Sequence, residues 1–156
     1  MGTRSRIGVM HGENCKSVYC HWDGYLDHNG RILLEHYDSA KANNLVALGD
    51  ISSLGSEIGE KHDFDVSFTK GAIGENWCKF YGRDRGETGT EFKTDDTFEK
   101  FYERADACGA EYYYIMRDGE WFVGTTYSSD TKLGGKLMPL AEALAEQDID
   151  TAEAVE

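Results

Sequence analysis

The chain has 156 residues, 40% of them hydrophobic and 12% aromatic. That is the size of one domain, able to bury a core without disulfide or metal staples, and the composition argues against a disordered chain. A formal net charge of −13 repels nucleic acid and anionic membranes, so direct binding of either is not expected.

Thr3 to Met10 and Cys15 to Trp22 read as two strands joined across the polar turn His11-Gly12-Glu13-Asn14. This is a hairpin at 3–22, closed by Asp23-Gly24. Gly30 to Leu48 is rich in helix formers, with Leu33, Leu34, Tyr37, Ala42, Leu45 and Val46 at helical spacing. Asp38-Ser39 breaks the run, Ser39 is expected to cap a second helix, and Gly49 ends it. Residues 50–76 read as glycine-punctuated loops with one short strand at Phe64–Phe68, followed by a strand at Trp77–Tyr81 and a polar turn at Gly82–Gly89.

Thr94 to Ala107 is the clearest helix: Phe98, Phe101, Tyr102 and Ala105 fall on one face, Thr94 can cap it and Gly109 stops it. Strands at Glu111–Met116 and Glu120–Tyr127 join across Asp118-Gly119, a strong hairpin signal. Leu137 to Glu146, with Pro139 near its first turn, is the last helix. The expectation is a single α+β domain over 1–148 and a frayed acidic tail at 149–156. Its antiparallel sheet is built from hairpins at 3–22 and 111–127, with helices near 30–48, 95–107 and 138–147 packed on one face.

Charge is distributed unevenly. Residues 1–36 carry four basic and four acidic side chains, residues 37–156 carry 12 and 25, and the last 17 residues hold six acids and no base. A site for an anion is therefore expected in the N-terminal segment. There, Arg4-Ser5-Arg6 and His21-Trp22-Asp23-Gly24-Tyr25 come to the same end of the expected hairpin. Arg4 and Arg6 share one strand face and would pair with phosphates. Trp22 or Tyr25 would stack on a base, and Asp23 would accept a sugar hydroxyl or orient His21. The bland reading of the same residues is a strand end with surface arginines and a packed Trp.

Other candidates carry less. His11, Cys15, Cys20 and His21 match no zinc spacing, and alternation sends Cys20 and His21 to opposite faces, so no metal is expected. The four cysteines, Cys15, Cys20, Cys78 and Cys108, read as reduced thiols in a cytosol, since no secretory leader or membrane span is legible. Gly82-Arg83-Asp84-Arg85-Gly86 lacks the lysine of a phosphate loop, although Arg83 and Arg85 could reach a phosphate. Tyr112-Tyr113-Tyr114 alternates between a core face and a face that is either covered or a contact strip. With no nucleophile–base pair or cofactor loop, the expectation leans against an enzyme, with no catalytic residues and no cofactor.

Met1-Gly2-Thr3-Arg4-Ser5-Arg6-Ile7-Gly8 and Tyr19-Cys20-His21-Trp22-Asp23-Gly24-Tyr25 resemble a family of small accessory, non-structural proteins of tailed bacteriophages. Leu48-Gly49-Asp50-Ile51-Ser52-Ser53-Leu54-Gly55 and Glu57-Ile58-Gly59-Glu60-Lys61-His62 add to the likeness, which covers the first 65 residues or so. The resemblance implies action in the cytoplasm of a bacterial host, against host defences. Joined to the residues above, it gives the expected function: binding and sequestering a small anionic, nucleotide-derived signal, with a homo-oligomer able to complete the pocket. Two alternatives are an acidic nucleic-acid mimic that blocks a basic host protein, and a hydrolase of a nucleotide signal.

Overall fold

The structure, a computed structural model, describes residues 3–64, 76–126 and 137–155. The first hairpin forms as expected, from β1 (Ser5–His11) and β2 (Asn14–Cys20), in register from Ser5↔Cys20 to His11↔Asn14. A short π-helix (Leu26–Gly30) leads into α1 (Arg31–His36), α2 (Ser39–Ala47) and β3 (Ile51–Ser53). Then come β4 (Lys79–Phe80), α3 (Tyr81–Arg85), β5 (Lys93–Asp95) and α4 (Phe98–Ala107). The second hairpin is β6 (Tyr112–Arg117) and β7 (Glu120–Thr125), followed by β8 (Met138–Pro139) and α5 (Leu140–Val155). Asp118 (φ 53°) and Gly119 (φ 79°) both take positive φ, which is what a two-residue I′ turn demands.

The eight strands form one sheet in the order β4-β3-β2-β1-β6-β7-β8, with β5 paired to the first half of β2. This corrects the antiparallel expectation, because the sheet is mixed. β1 runs parallel to β6 from Ser5↔Tyr112 to Val9↔Met116, and β2 parallel to β3 at Cys20↔Ile51. Hairpin signals fix the pairing within each hairpin but not the direction in which two hairpins dock. Five consecutive buried residues in β1 and again in β6 are the pattern of strands covered on both faces.

Helices likewise cover both faces, which corrects the one-face expectation. The larger core gathers Ile7, Val9 and Tyr114 with Leu33 of α1, Leu45 of α2 and Leu140 of α5. The second core, on the other face, gathers Tyr113 and Ile115 with Phe101 and Ala105 of α4. Alternation along β6 divides the tyrosines between the two cores: Tyr112 and Tyr114 face one, Tyr113 the other.

Several boundaries move for physical reasons. Asp38, not Ser39, caps α2 by accepting from Lys41 N at 2.8 Å, and Thr97, not Thr94, caps α4 by accepting from Lys100 N at 3.2 Å. Thr94 is instead held in β5 against Lys16. Gly82–Gly89 begins with α3 rather than a turn. Pro139 ends an edge strand, and α5 starts at Leu140 and runs to Val155. The strand expected at Phe64–Phe68 falls, beyond Phe64, outside the described residues, as does Tyr127. Among the described residues, no helix is long and apolar enough to cross a membrane.

Candidate functional site

Arg4-Ser5-Arg6 and His21–Tyr25 do lie at one end of the sheet: Gly24 N donates to Thr3 O at 2.7 Å. The sheet then divides them. On the α4 face, Arg6 is buried at 4% exposure and donates from Nε to Ser17 Oγ (2.8 Å) and from Nη2 to Ser17 O (3.3 Å). Arg4 lies exposed two residues earlier, and a Cβ at Gly109, just past α4, would come within 3.2 Å of its Nη1. The Tyr19 hydroxyl and His21 Nδ1 are 2.7 Å apart. Burial first, and the Arg4 charge second, lower the His21 pKa. Burial pushes Tyr19 up to about 12 although Arg4 pulls the other way. Trp22, 44% exposed, meets the His21 ring edge-on at 4.7 Å.

Asp23 and Tyr25 are on the other side, where α1 packs. Asp23 holds a left-handed φ of 56°, uncommon for a residue with a side chain and a mark of a functional or strained turn. Asp23 lines a cavity of about 410 Å³ with His28, His36, Ser53, Asn76 and Trp77. Tyr25 stands at 6.1 Å from the His28 ring. The cavity opens at the carboxyl ends of the parallel strands β2 and β3, where ligand crevices form in sheets with parallel pairs.

Its walls are tied from three segments. Asn29 is fully buried, and its amide nitrogen donates to Ser5 Oγ (3.2 Å) and Trp22 O (3.4 Å) while its Oδ1 lies 2.9 Å from His28 Nδ1. The Tyr37 hydroxyl donates to Gly55 O (2.8 Å), and Glu57 N to Asn76 O (3.0 Å). Gly59, at φ 72°, lies so close to Trp77 that a Cβ there would sit 2.3 Å from its Cγ. The buried Asp84 carboxylate anchors this loop, accepting from Phe80 N (2.8 Å), His62 N (3.1 Å) and Arg83 Nε (2.9 Å). Arg83 also donates to Ile58 O, Gly59 O and Cys78 O. It is a strut of the wall.

Three of the four thiols are sealed. Burial above all pushes Cys15 and Cys20 up to about 12 and raises Cys78, so all three stay protonated near neutral pH. Among the described residues, no group of three or more His, Cys, Asp and Glu is placed to hold a metal ion.

Of the six residues singled out from the sequence, Arg4, Arg6, His21 and Trp22 thus gather on or beside the α4 face, and Asp23 and Tyr25 on the cavity side. Sequence reading missed His28, His36, Ser53, Asn76 and Trp77. The one signal for them was the pair of segments Leu48–Gly55 and Glu57–His62, noted for resemblance, which turn out to supply Ser53 and Gly59.

No protein-family model, no curated protein and no solved structure matches the chain.

Proposed function

We propose that this is a bacteriophage accessory protein that binds and sequesters a small nucleotide-derived ligand, seated in the crevice beside Asp23 and Trp77. The observation that carries the reading is the crevice itself. It has a volume of about 410 Å³, within the range of small-molecule sites. It also brings together one carboxylate, two imidazoles and an indole. Among the described residues, the Asp23 carboxylate and the His28 Nε2 have no protein partner.

Each group has a role that suits a nucleotide. The Trp77 indole offers a stacking surface for a base, a contact that contributes about 1–3 kcal/mol. Asp23 accepts sugar hydroxyls in charge-assisted bonds of about 1.5–3 kcal/mol. His36, exposed and lining the same crevice, is available to a phosphate. Together these support roughly micromolar binding before ordering costs.

The direct test is to purify the protein from infected, defence-active cells, denature it, and identify released small molecules by mass spectrometry. A nucleotide-derived species is expected, and Asp23→Asn should release at least about tenfold less. Recovery of no nucleotide-like molecule would sink the reading. Conversion of the ligand to a product, abolished by one substitution, would turn the binder into a hydrolase.

A second reading rests on a different cavity. Leu34, Met116 and Trp121 floor a space of about 470 Å³ rimmed by Glu35, Asp38 and Glu120. An acidic rim over an apolar floor suits the lysine or arginine of a basic host protein. This reading expects partner binding that weakens steeply with salt and is lost in a Glu35→Lys, Glu120→Lys double variant.

A further inference from the structure

The Asn29 amide has a fixed orientation. Its nitrogen faces the carbonyl oxygen of Trp22 at 3.4 Å, which can only accept, and Ser5 Oγ at 3.2 Å. Oδ1 is therefore the atom that meets His28 Nδ1 at 2.9 Å. Oδ1 can only accept, so Nδ1 must carry the proton and donate. In the neutral ring, Nε2 is then left with a lone pair. Because Asn29 is fully buried, this second group locks both the ring's orientation and its tautomer, as a partner on the far nitrogen does in any positioned histidine.

Asp23 belongs to the same wall. Asn29 N donates to Asp23 O at 3.2 Å, so the residue that fixes the His28 ring also fixes the Asp23 turn. Both residues line the same crevice, which therefore holds two acceptors: a carboxylate and an imidazole lone pair. Neither can donate in these states, and a ligand edge that satisfies both must carry two donors.

We propose that Asp23 and His28 together recognise the vicinal diol of a ribose, so that the crevice selects ribonucleotide-derived ligands over their deoxy counterparts. The two hydroxyls of a ribose are adjacent donors on one edge, and Asp23 and His28, lining one crevice, can each accept one of them. A dideoxy ligand leaves both acceptors dry and unpaired, which is the costlier kind of mismatch. The proposal rests on the crevice being the ligand site, as inferred above, but part of its test does not.

Long-range proton–nitrogen NMR on the free protein reads the tautomer without any ligand. Recorded at a pH where the ring is neutral, the expected spectrum has His28 protonated at Nδ1 and bare at Nε2, and the opposite neutral tautomer overturns the role given to His28. Calorimetric titration then uses the ribonucleoside monophosphates and their dideoxy counterparts as probes. The ribo form should bind about tenfold tighter, and His28→Phe should bring the two affinities together. Equal affinities in the wild type overturn the diol inference and leave the crevice reading standing. No binding of any probe at millimolar concentration, with the expected tautomer present, overturns the crevice reading instead.

Discussion

The strand end where β1 begins and β2 finishes has two polar sides, and they differ in what their side chains are free to do. On the α4 side, Arg6 is folded into the protein and both of its bonds go to Ser17. Tyr19 and His21 satisfy each other at 2.7 Å. On the crevice side, the buried Asn29 bonds to Ser5, Trp22 and the near nitrogen of His28, while the Asp23 carboxylate and the far nitrogen of His28 have no partner among the described residues. The first side has the charges that suggest an anion site in a sequence. The second has polar groups without a protein partner among the described residues. Net availability, and not residue type, separates them.

The largest expected effect comes from breaking the wall that only the crevice side needs. Asp84 is buried and holds Arg83, Phe80 N and His62 N. Asp84→Ala strands a half-buried guanidinium and two backbone donors, at a cost of about 3–5 kcal/mol by urea unfolding. The same residue gives a pH signature. Burial alone would raise its carboxyl, but Arg83 and the two N–H donors outweigh burial and hold it below the usual value. A depressed folded pKa means the contribution to stability is complete above the unfolded value of about 3.9 and is lost as pH falls through the lower folded one. Asp84→Asn should flatten stability against pH in that acid window, while a curve unchanged from wild type would show that Asp84 is not the linked group.

Next in size is Arg6. If it is an internal strut, Arg6→Ala should cost about 2–3 kcal/mol, from two lost bonds and the polar Ser17 groups left dry in a covered face. Its folded fraction should bind nucleotide as wild type does. If the α4 side were the ligand site, the result would reverse, with normal stability and lost binding.

Thiol labelling sharpens the same contrast at no cost in stability. Cys15 lies under α4 and Cys20 on the crevice side, yet both are buried and pushed up to about 12. A disulfide-exchange reagent at pH near 8 should modify Cys108, which is partly exposed, and leave the other three untouched in the folded protein. Rapid reaction of Cys20 would show that the crevice opens into the core.

What could be read in advance follows the range of the forces involved. The two hairpins and α4 are local: a turn at Asp118-Gly119, or Phe101 and Ala105 one turn apart, announces itself within a few residues. The parallel pairings Ser5↔Tyr112 and Cys20↔Ile51 join segments about 107 and 31 residues apart in the numbering, where no local signal states direction. The candidate site divides the same way. Asp23 and Tyr25 stood out because the residues around them are dense in functional types. Trp77 and His28 did not, because their meaning depends on Gly59 lying against one and Asn29 holding the other. For Arg6 the converse holds, since strand alternation put it with Arg4 but could not reveal Ser17 across the ladder.

The smallest expected effect is at Arg4, and it is the one that decides between the two sides most cleanly. Arg4 is exposed, so its loss leaves no unpaired partner in the core. Its guanidinium sits just past the C-terminal end of α4, by Gly109, where the helix dipole already favours a cation. Arg4 does not line the crevice, so any pull it exerts on a phosphate there is long-range and screened by salt, with a screening length of about 8 Å at physiological ionic strength. Arg4→Ala should therefore weaken binding of a ribonucleoside monophosphate by no more than about two- to threefold in low salt, and by nothing measurable at about 0.5 M salt, where screening is nearly complete. A direct guanidinium–phosphate contact behaves otherwise, since a bidentate charge-assisted pair contributes about tenfold or more and is only partly screened once water is excluded. A tenfold loss that survives high salt would place the phosphate on Arg4 itself, move the ligand to the α4 side beside His21 and Trp22, and leave Asp23 and His28 as a solvated turn.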